Sequence, residues 1–290
     1  MGAPTAKEYP AQYFAASALA ATSCYPLWRS AAIGQSGFRM ATMNVAGVHV
    51  PHSLAPYVYG FLPPYRGMLA TVTGMTWARA AIFYFSDYGR EIMLNRGYSE
   101  TASTLAPPLV VSSTVQVINQ PIVRATVTLQ DPTCTLPNVV QSIRHIYATH
   151  GVAGLWHGTT AGVLKSVPKY CTAIAVKDFM EGFLPQSDPS SPTYDTDRLV
   201  RSAIKSGTAG VAGAALTNPL DVIRNEQFKT HLGLRATIQS LYREMGMGFF
   251  VRGLGKNMIA VALPVGCTIF LTDTLIQFSQ DHHLLAPHES

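Results

Sequence analysis

The chain is short of charge, of unbroken apolar runs and of paired cysteines, and each shortage excludes something. Asp, Glu, Lys and Arg make up 13% of its 290 residues, about half the share of an ordinary soluble domain. No window holds the roughly 18–20 uninterrupted apolar residues of a simple spanning helix, so a bundle of plain hydrophobic spans is excluded. Cys24, Cys134, Cys171 and Cys267 lie far apart with no CxxC pair. They read as free thiols, which excludes a disulfide framework and a zinc site. The net charge is +5, but no Lys/Arg-rich run accompanies it, so a nucleic-acid partner is not expected. No nucleophile–base arrangement, phosphate loop or metal-ligand spacing occurs, and the chain does not read as an enzyme. The opening MGAPTAKEYP has neither the signal-peptide nor the Arg-rich transit pattern, and Ala6 breaks the myristoylation pattern.

What is present is a hydrophobic share of 48%, with 23 Gly and 19 Pro spread throughout. Apolar windows dotted with Gly, Ser, Thr and single charges occur at 11–24, 68–86, 105–118, 158–176, 206–220 and 254–271. Such segments suit helices with one face toward lipid and one toward a polar interior. The same windows would also serve as buried helices of a soluble all-α protein.

Internal repetition favours the membrane reading. A proline near the end of an apolar helix recurs in Tyr25-Pro26-Leu27, Gln120-Pro121-Ile122 and Asn218-Pro219-Leu220. Nine positions on stand Gln35, Gln130 and Phe228. An aromatic-basic-glycine step then opens the next helix: Tyr65-Arg66-Gly67, Trp156-His157-Gly158 and Val251-Arg252-Gly253. An aspartate follows each of those glycines by 20 residues, at Asp87, Asp178 and Asp273. Three units are therefore expected, 1–98, 99–186 and 187–290. Each has a proline-bent helix, a loop with a short helix, and a second long helix. The short helices are expected at 138–148 and 234–245, the latter with Leu234, Ile238, Leu241 and Tyr242 on one stripe. The stretch 38–64 carries no clear pattern, 185–192 reads as a polar linker, and His282-His283 as part of a solvated tail.

These landmarks resemble the mitochondrial carrier family, whose signature P-x-[DE]-x-x-[KR] is followed by [DE]-G-x4-[YWF]-[KR]-G. The best local matches are Pro219-Leu-Asp221-Val-Ile-Arg224 and His150-Gly-Val-Ala-Gly-Leu-Trp156-His157-Gly158. The resemblance implies an all-α membrane protein of the mitochondrial inner membrane, although diverged members also reside in the outer membrane. It implies six transmembrane helices in a threefold pseudosymmetric barrel with short matrix-side helices. It also implies bound cardiolipin as the one associated small molecule, at Arg66, Gly67, Trp156, Gly158, Arg252 and Gly253. Helix N-termini attract phosphate, so the physics agrees. The same glycines also serve simply to permit tight turns.

The resemblance puts a matrix-side gate at Pro26, Trp28, Pro121, Val123, Pro219, Asp221 and Arg224, and a cytoplasmic-side gate at Asp87, Arg90, Asp178, Glu181 and Asp273. Both depart from the family. On the matrix side Trp28, Ala31, Val123 and Thr126 replace ionic residues, leaving only Asp221 and Arg224. On the other side the basic partners are Arg90, Glu181 and Ile276, one surviving and one reversed in sign. Hydrophobic plugs could replace the lost pairs, or the protein no longer cycles. Substrate contacts would fall at Gly74, Met75, Arg79, Lys165, Ser166, Tyr170, Ala260 and Val261. Arg79 and Lys165 favour an anion if a solute is carried, because a cation in the membrane needs a polar setting. Each cation could also snorkel or pair internally. Two functions follow: a non-cycling accessory subunit of a large inner-membrane complex, which the degenerate gates favour, and an active transporter of a small anionic metabolite.

Overall fold

The computed structural model describes residues 9–38, 43–45, 48–51, 54–185 and 194–281. Linker residues 186–192, parts of 38–64 and His282-His283 lie outside them.

The first helix is interrupted near its proline, giving α1 (Pro10–Ser23) and α2 (Tyr25–Ser36) on either side of Cys24, whose φ/ψ of −91°/4° is not helical. Pro26 sits early in α2, where a missing N–H costs little. Part of the 38–64 stretch forms a hairpin, β1 (Met43–Val45) against β2 (Val48–Val50), with Asn44 opposite His49. A short α3 (Ala55–Phe61) follows, and then α4 (Met68–Asn95).

α5 (Glu100–Thr128) opens at Ser99, whose hydroxyl accepts from the Ala102 amide. It runs through Pro107, Pro108 and Pro121 without a break. α6 (Val139–Leu155) is capped by Asn138, whose side chain accepts from the Gln141 amide, and it breaks at Gly151, φ 65°. It is longer than the 138–148 expected, because it resumes beyond that glycine. α7 (Thr159–Leu164) and α8 (Ser166–Phe183) form one rod divided at Lys165. Pro168 has no N–H for the Leu164 carbonyl, which accounts for the division.

α9 (Tyr194–Thr230) contains Pro219; α10 (Leu234–Met245) occupies the 234–245 segment as expected. A 3-10 turn (Gly246–Val251) leads to α11 (Leu254–Asp281).

The long rods pack as a closed ring: α1 on α4, α4 on α5, α5 on α7 and α8, these on α9, α9 on α11, and α11 on α1 and α2. Small apolar clusters fasten the short helices to it. Ala161, Val222, Ile223, Leu241 and Phe249 join α7, α9, α10 and the 3-10 turn. Ala125, Ile146 and Leu155 join α5 and α6.

Among the described residues one helix is long and apolar enough to cross a membrane by itself, Leu254–Ser279 with mean hydropathy 1.9. The other rods carry residues such as Arg79, Gln116, Asn119 and Lys165. A single-helix hydropathy test therefore does not register the six spans expected from the resemblance.

Candidate functional site

The site is built at the α3/α6/α10 end of the ring, where the residue before each landmark proline makes the same bond. The Tyr25 hydroxyl donates to the Arg66 carbonyl at 2.7 Å. The Gln120 amide donates to the His157 carbonyl at 2.9 Å. The Asn218 amide donates to the Arg252 carbonyl at 3.1 Å and to that of Phe250 at 2.9 Å. Arg66, His157 and Arg252 each precede a helix-opening glycine. All three glycines take a left-handed backbone, with φ 78° at Gly67, 82° at Gly158 and 69° at Gly253. The turn thus aims a carbonyl back at the proline bend, and three chemically different side chains accept the role. Gln120→Leu leaves the His157 carbonyl unpaired and is expected to cost about 1–2 kcal/mol. Asn218→Ala strands two carbonyls and costs more, both read as unfolding temperature in detergent.

The position nine residues after each proline ties neighbouring segments together. The Gln35 amide donates to Asn218 Oδ1 at 3.1 Å. The Gln130 amide donates to the Tyr25 hydroxyl at 3.4 Å and to the Arg66 carbonyl at 3.2 Å. Phe228 lies against Gly158, where a Cβ would come within 2.8 Å of its ring. First segment thereby meets third, second meets first, and third meets second. This closure is largely polar and uncharged, and it was not visible from the lost acidic and basic positions. Of those, Trp28 stacks on Tyr25 with ring centroids 5.5 Å apart, and Thr126 and Ala31 are buried. Val123 is half-buried.

At this end of the ring one inter-segment ion pair is present among the described residues. Lys165 Nζ lies 2.8 Å from Asp221 Oδ1, and Arg224 reaches the same oxygen at 2.9 Å from one turn along α9. The side chains are 19%, 12% and 11% exposed. Lys165, expected among the solute contacts, therefore holds Asp221, expected in the matrix-side gate. Lys169, one turn further along α8, faces the same group: Asp221, Arg79 and Arg224 act on it electrostatically. It carried no signal within the family pattern. Three cations thus gather around one carboxylate and Arg79 acts on the outermost of them, Lys169; neither Arg79 nor Lys169 makes an ion pair among the described residues. Gly74 and Met75 stand on α4 beside this group, half-buried, and the Gly74 carbonyl accepts from Asn119 at 3.4 Å. Ser166 is buried, Ala260 and Val261 are half-buried on α11, and the side chain of Tyr170 lies outside the described set.

The opposite end is joined by exposed ion pairs among the described residues. Asp87 is exposed, and Arg90 lies 3.7 Å from the exposed Glu100. Glu181 pairs with Arg201 at 2.8 Å and with Lys205, both on α9. Asp273 accepts from Gln277 at 3.1 Å, Ile276 is buried, and the Asp178 side chain lies outside the described set.

The arginines expected at lipid are engaged by the protein. Arg252 contacts Glu226 at 2.8 Å and donates to the Gln35 carbonyl at 2.8 Å. Arg66 donates to the Cys134 carbonyl at 2.6 Å. Trp156 is exposed, its indole N–H on the Val117 carbonyl at 3.0 Å.

The sequence pattern of the family described as "Mitochondrial carrier protein" matches residues 101–188 and 195–283. The mitochondrial basic amino acids transporter of Bos taurus is 24% identical over 73% of this chain and 72% of its own length. Mitochondrial ornithine transporter 1 of Saccharomyces cerevisiae is 26% identical over 46% of this chain and 45% of its own. Mitochondrial thiamine pyrophosphate carrier 1 of Neurospora crassa is 27% identical over 49% and 43%. The matched stretch spans less than half the length of the last two relatives. Their printed cargoes differ in charge, so similarity alone does not select among them.

Proposed function

Because the chain belongs to the mitochondrial carrier protein family, we propose that it carries a small anionic solute across the mitochondrial inner membrane. The six rods, with α1–α2 and α7–α8 each counted as one, span the bilayer as a threefold pseudosymmetric barrel. The observation that carries the choice of solute is the charge of the interior. Asp221 is already held by Lys165 and Arg224, which leaves Arg79 and Lys169 without a carboxylate among the described residues. Arg79 is half-buried and Lys169 exposed on the inner face of the ring; like charges held close together repel, and an anionic solute relieves that cost. A cationic solute finds no free carboxylate among these residues. The ornithine and basic amino acid relatives therefore do not indicate the cargo.

The arrangement also links the solute to opening. An anion reaching Lys165 competes with Asp221 for it and weakens the tie between α8 and α9. Binding then favours the state in which that end separates, as a ligand with differential affinity must. Cardiolipin contact, on this reading, falls to the backbone N–H groups of the helices opening at Gly67, Gly158 and Gly253, since Arg66 and Arg252 are engaged elsewhere. The test is uptake by liposomes containing the purified protein, screened against anionic and cationic metabolites.

One observation favours a second reading, the non-cycling subunit of an inner-membrane complex. At the far end Glu181 is tied to α9 and Ile276 stands where a basic partner would close the gate. Co-purification of the native protein in stoichiometric amount with a large complex would support that reading.

A further inference from the structure

Arg124 has no place in the interior charge group or in the inter-segment bonds described above. Its side chain is among the largest fully buried ones, 1% exposed. No ion pair involves it among the described residues. Nη2 donates to His231 Nδ1 at 2.7 Å, and its guanidinium carbon lies 6.0 Å from the Phe228 ring. Nε and Nη1 have no hydrogen-bond partner among the described residues. A buried guanidinium with two idle donors and no carboxylate is an expensive arrangement.

Three histidines surround it. His231 ends α9 at φ 57°, the one non-glycine residue with positive φ among the described residues. That conformation costs about 1 kcal/mol and tends to mark a residue held for a purpose. The His231 ring stacks on His150 with centroids 3.6 Å apart and lies 6.3 Å from His157. Arginine only donates, so His231 Nδ1 accepts and its Nε2 carries the proton. By the same logic His157 Nε2 donates to the Leu232 carbonyl at 2.9 Å, leaving Nδ1 open. His150 and His231 are exposed to solvent in front of the arginine. The charged groups acting on His231 are His150, Arg124 and His157, all of them cationic or able to be. No set of three His, Cys, Asp or Glu among the described residues is placed to hold a metal ion.

We propose that Arg124, His150, His157 and His231 form a binding site for a phosphate-like oxyanion at the joint between the second and third segments, on the α6/α10 side of the ring. The oxyanion accepts from the histidines and supplies the counter-charge that Arg124 lacks. Burial and the neighbouring cations push the His231 imidazole down to about 4, so His231 is neutral in the unoccupied site. An anion reverses that shift, and binding takes up protons.

The test uses the full-length protein in phosphatidylcholine nanodiscs, titrated with sodium sulfate against sodium chloride at matched ionic strength. Sulfate does not titrate near neutrality, so any pH dependence belongs to the protein. The readout is unfolding temperature. Sulfate is expected to raise it saturably, with a half-saturating concentration several-fold lower at pH 6.0 than at pH 7.5. The pair His150→Gln and His231→Asn, exposed positions with an asparagine that tolerates positive φ, is expected to raise that concentration more than tenfold, and a cooperative unfolding transition without sulfate shows that the variant is folded. A parallel titration in discs containing phosphatidylglycerol identifies the source. A lost sulfate response there assigns the site to a lipid phosphate, and a retained one to a free anion. No rise beyond chloride, an unchanged response in the double variant, or stabilisation by zinc in place of sulfate would overturn the proposal.

Discussion

Asp221→Asn is expected to lower the stability of the protein by about 3 kcal/mol, the scale set by removing one partner from a buried ion pair. Asp221 Oδ1 is shared by Lys165 and Arg224, so its loss leaves two cations facing each other with Lys169 nearby. The amide still accepts one hydrogen bond but offers no charge. The cost therefore comes from stranded cations more than from a lost contact. Adding Lys165→Met to Asp221→Asn removes one of those cations and fits an apolar chain into the same path. The double variant is expected to recover about half of the loss, a coupling that only residues in direct contact show. Unfolding temperatures of the four proteins of this cycle decide it, and strict additivity would mean that the pair contributes nothing to closure.

The second large effect separates three glycines that occupy equivalent turns. Gly253→Ala is expected to cost about 3 kcal/mol, from positive-φ strain and overpacking together. A Cβ there would stand 2.7 Å from the Gln35 backbone nitrogen and 2.8 Å from the Gly34 carbonyl carbon, and backbone cannot swing aside. At Gly158 the nearest obstacle is the Phe228 ring at 2.8 Å, a side chain with some freedom. At Gly67 nothing lies closer than 3.4 Å, so the left-handed turn alone sets the cost, about 1 kcal/mol. The order of loss is Gly253, then Gly158, then Gly67. A uniform loss at all three would show that turn conformation, not the approach of α2 to α11, dominates.

That contrast also shows what the amino-acid sequence discloses. The register of Gly67, Gly158 and Gly253 is plain in it, because left-handed turns demand one residue type. Leu234–Met245 is legible for the same reason, through a helical stripe that burial requires. The carbonyl bonds of Tyr25, Gln120 and Asn218 are not, since three unlike side chains do one task across spans of 34 to 41 residues. Lost acidic and basic positions are obvious as absences, yet the pairing that stands in their place is not. Lys165 stands on another rod, at the division of α7 from α8, and meets Asp221 of α9 from there. Lys169 lies outside the family's contact positions and gave no signal. His231 was silent too, because a strained histidine looks like any loop residue until its neighbours are known. Among the described residues hydropathy marks one rod alone as long and apolar enough to span, because the others interleave polar residues such as Arg79, Gln116 and Lys165 with their apolar ones.

The interior cations carry the account, and one comparison tests them most directly. Liposomes with the purified protein are given a small dicarboxylate or phosphate ester on one side and a basic amino acid on the other assay, each against matched protein-free vesicles. Wild type is expected to take up an anion and not the basic amino acid. Arg79→Ala with Lys169→Ala is expected to cut that uptake by on the order of 100-fold, since each hydrogen bond to a charged group contributes about 1.5–3 kcal/mol. Uptake of the basic amino acid, or anion uptake unchanged in the double variant, would contradict the account.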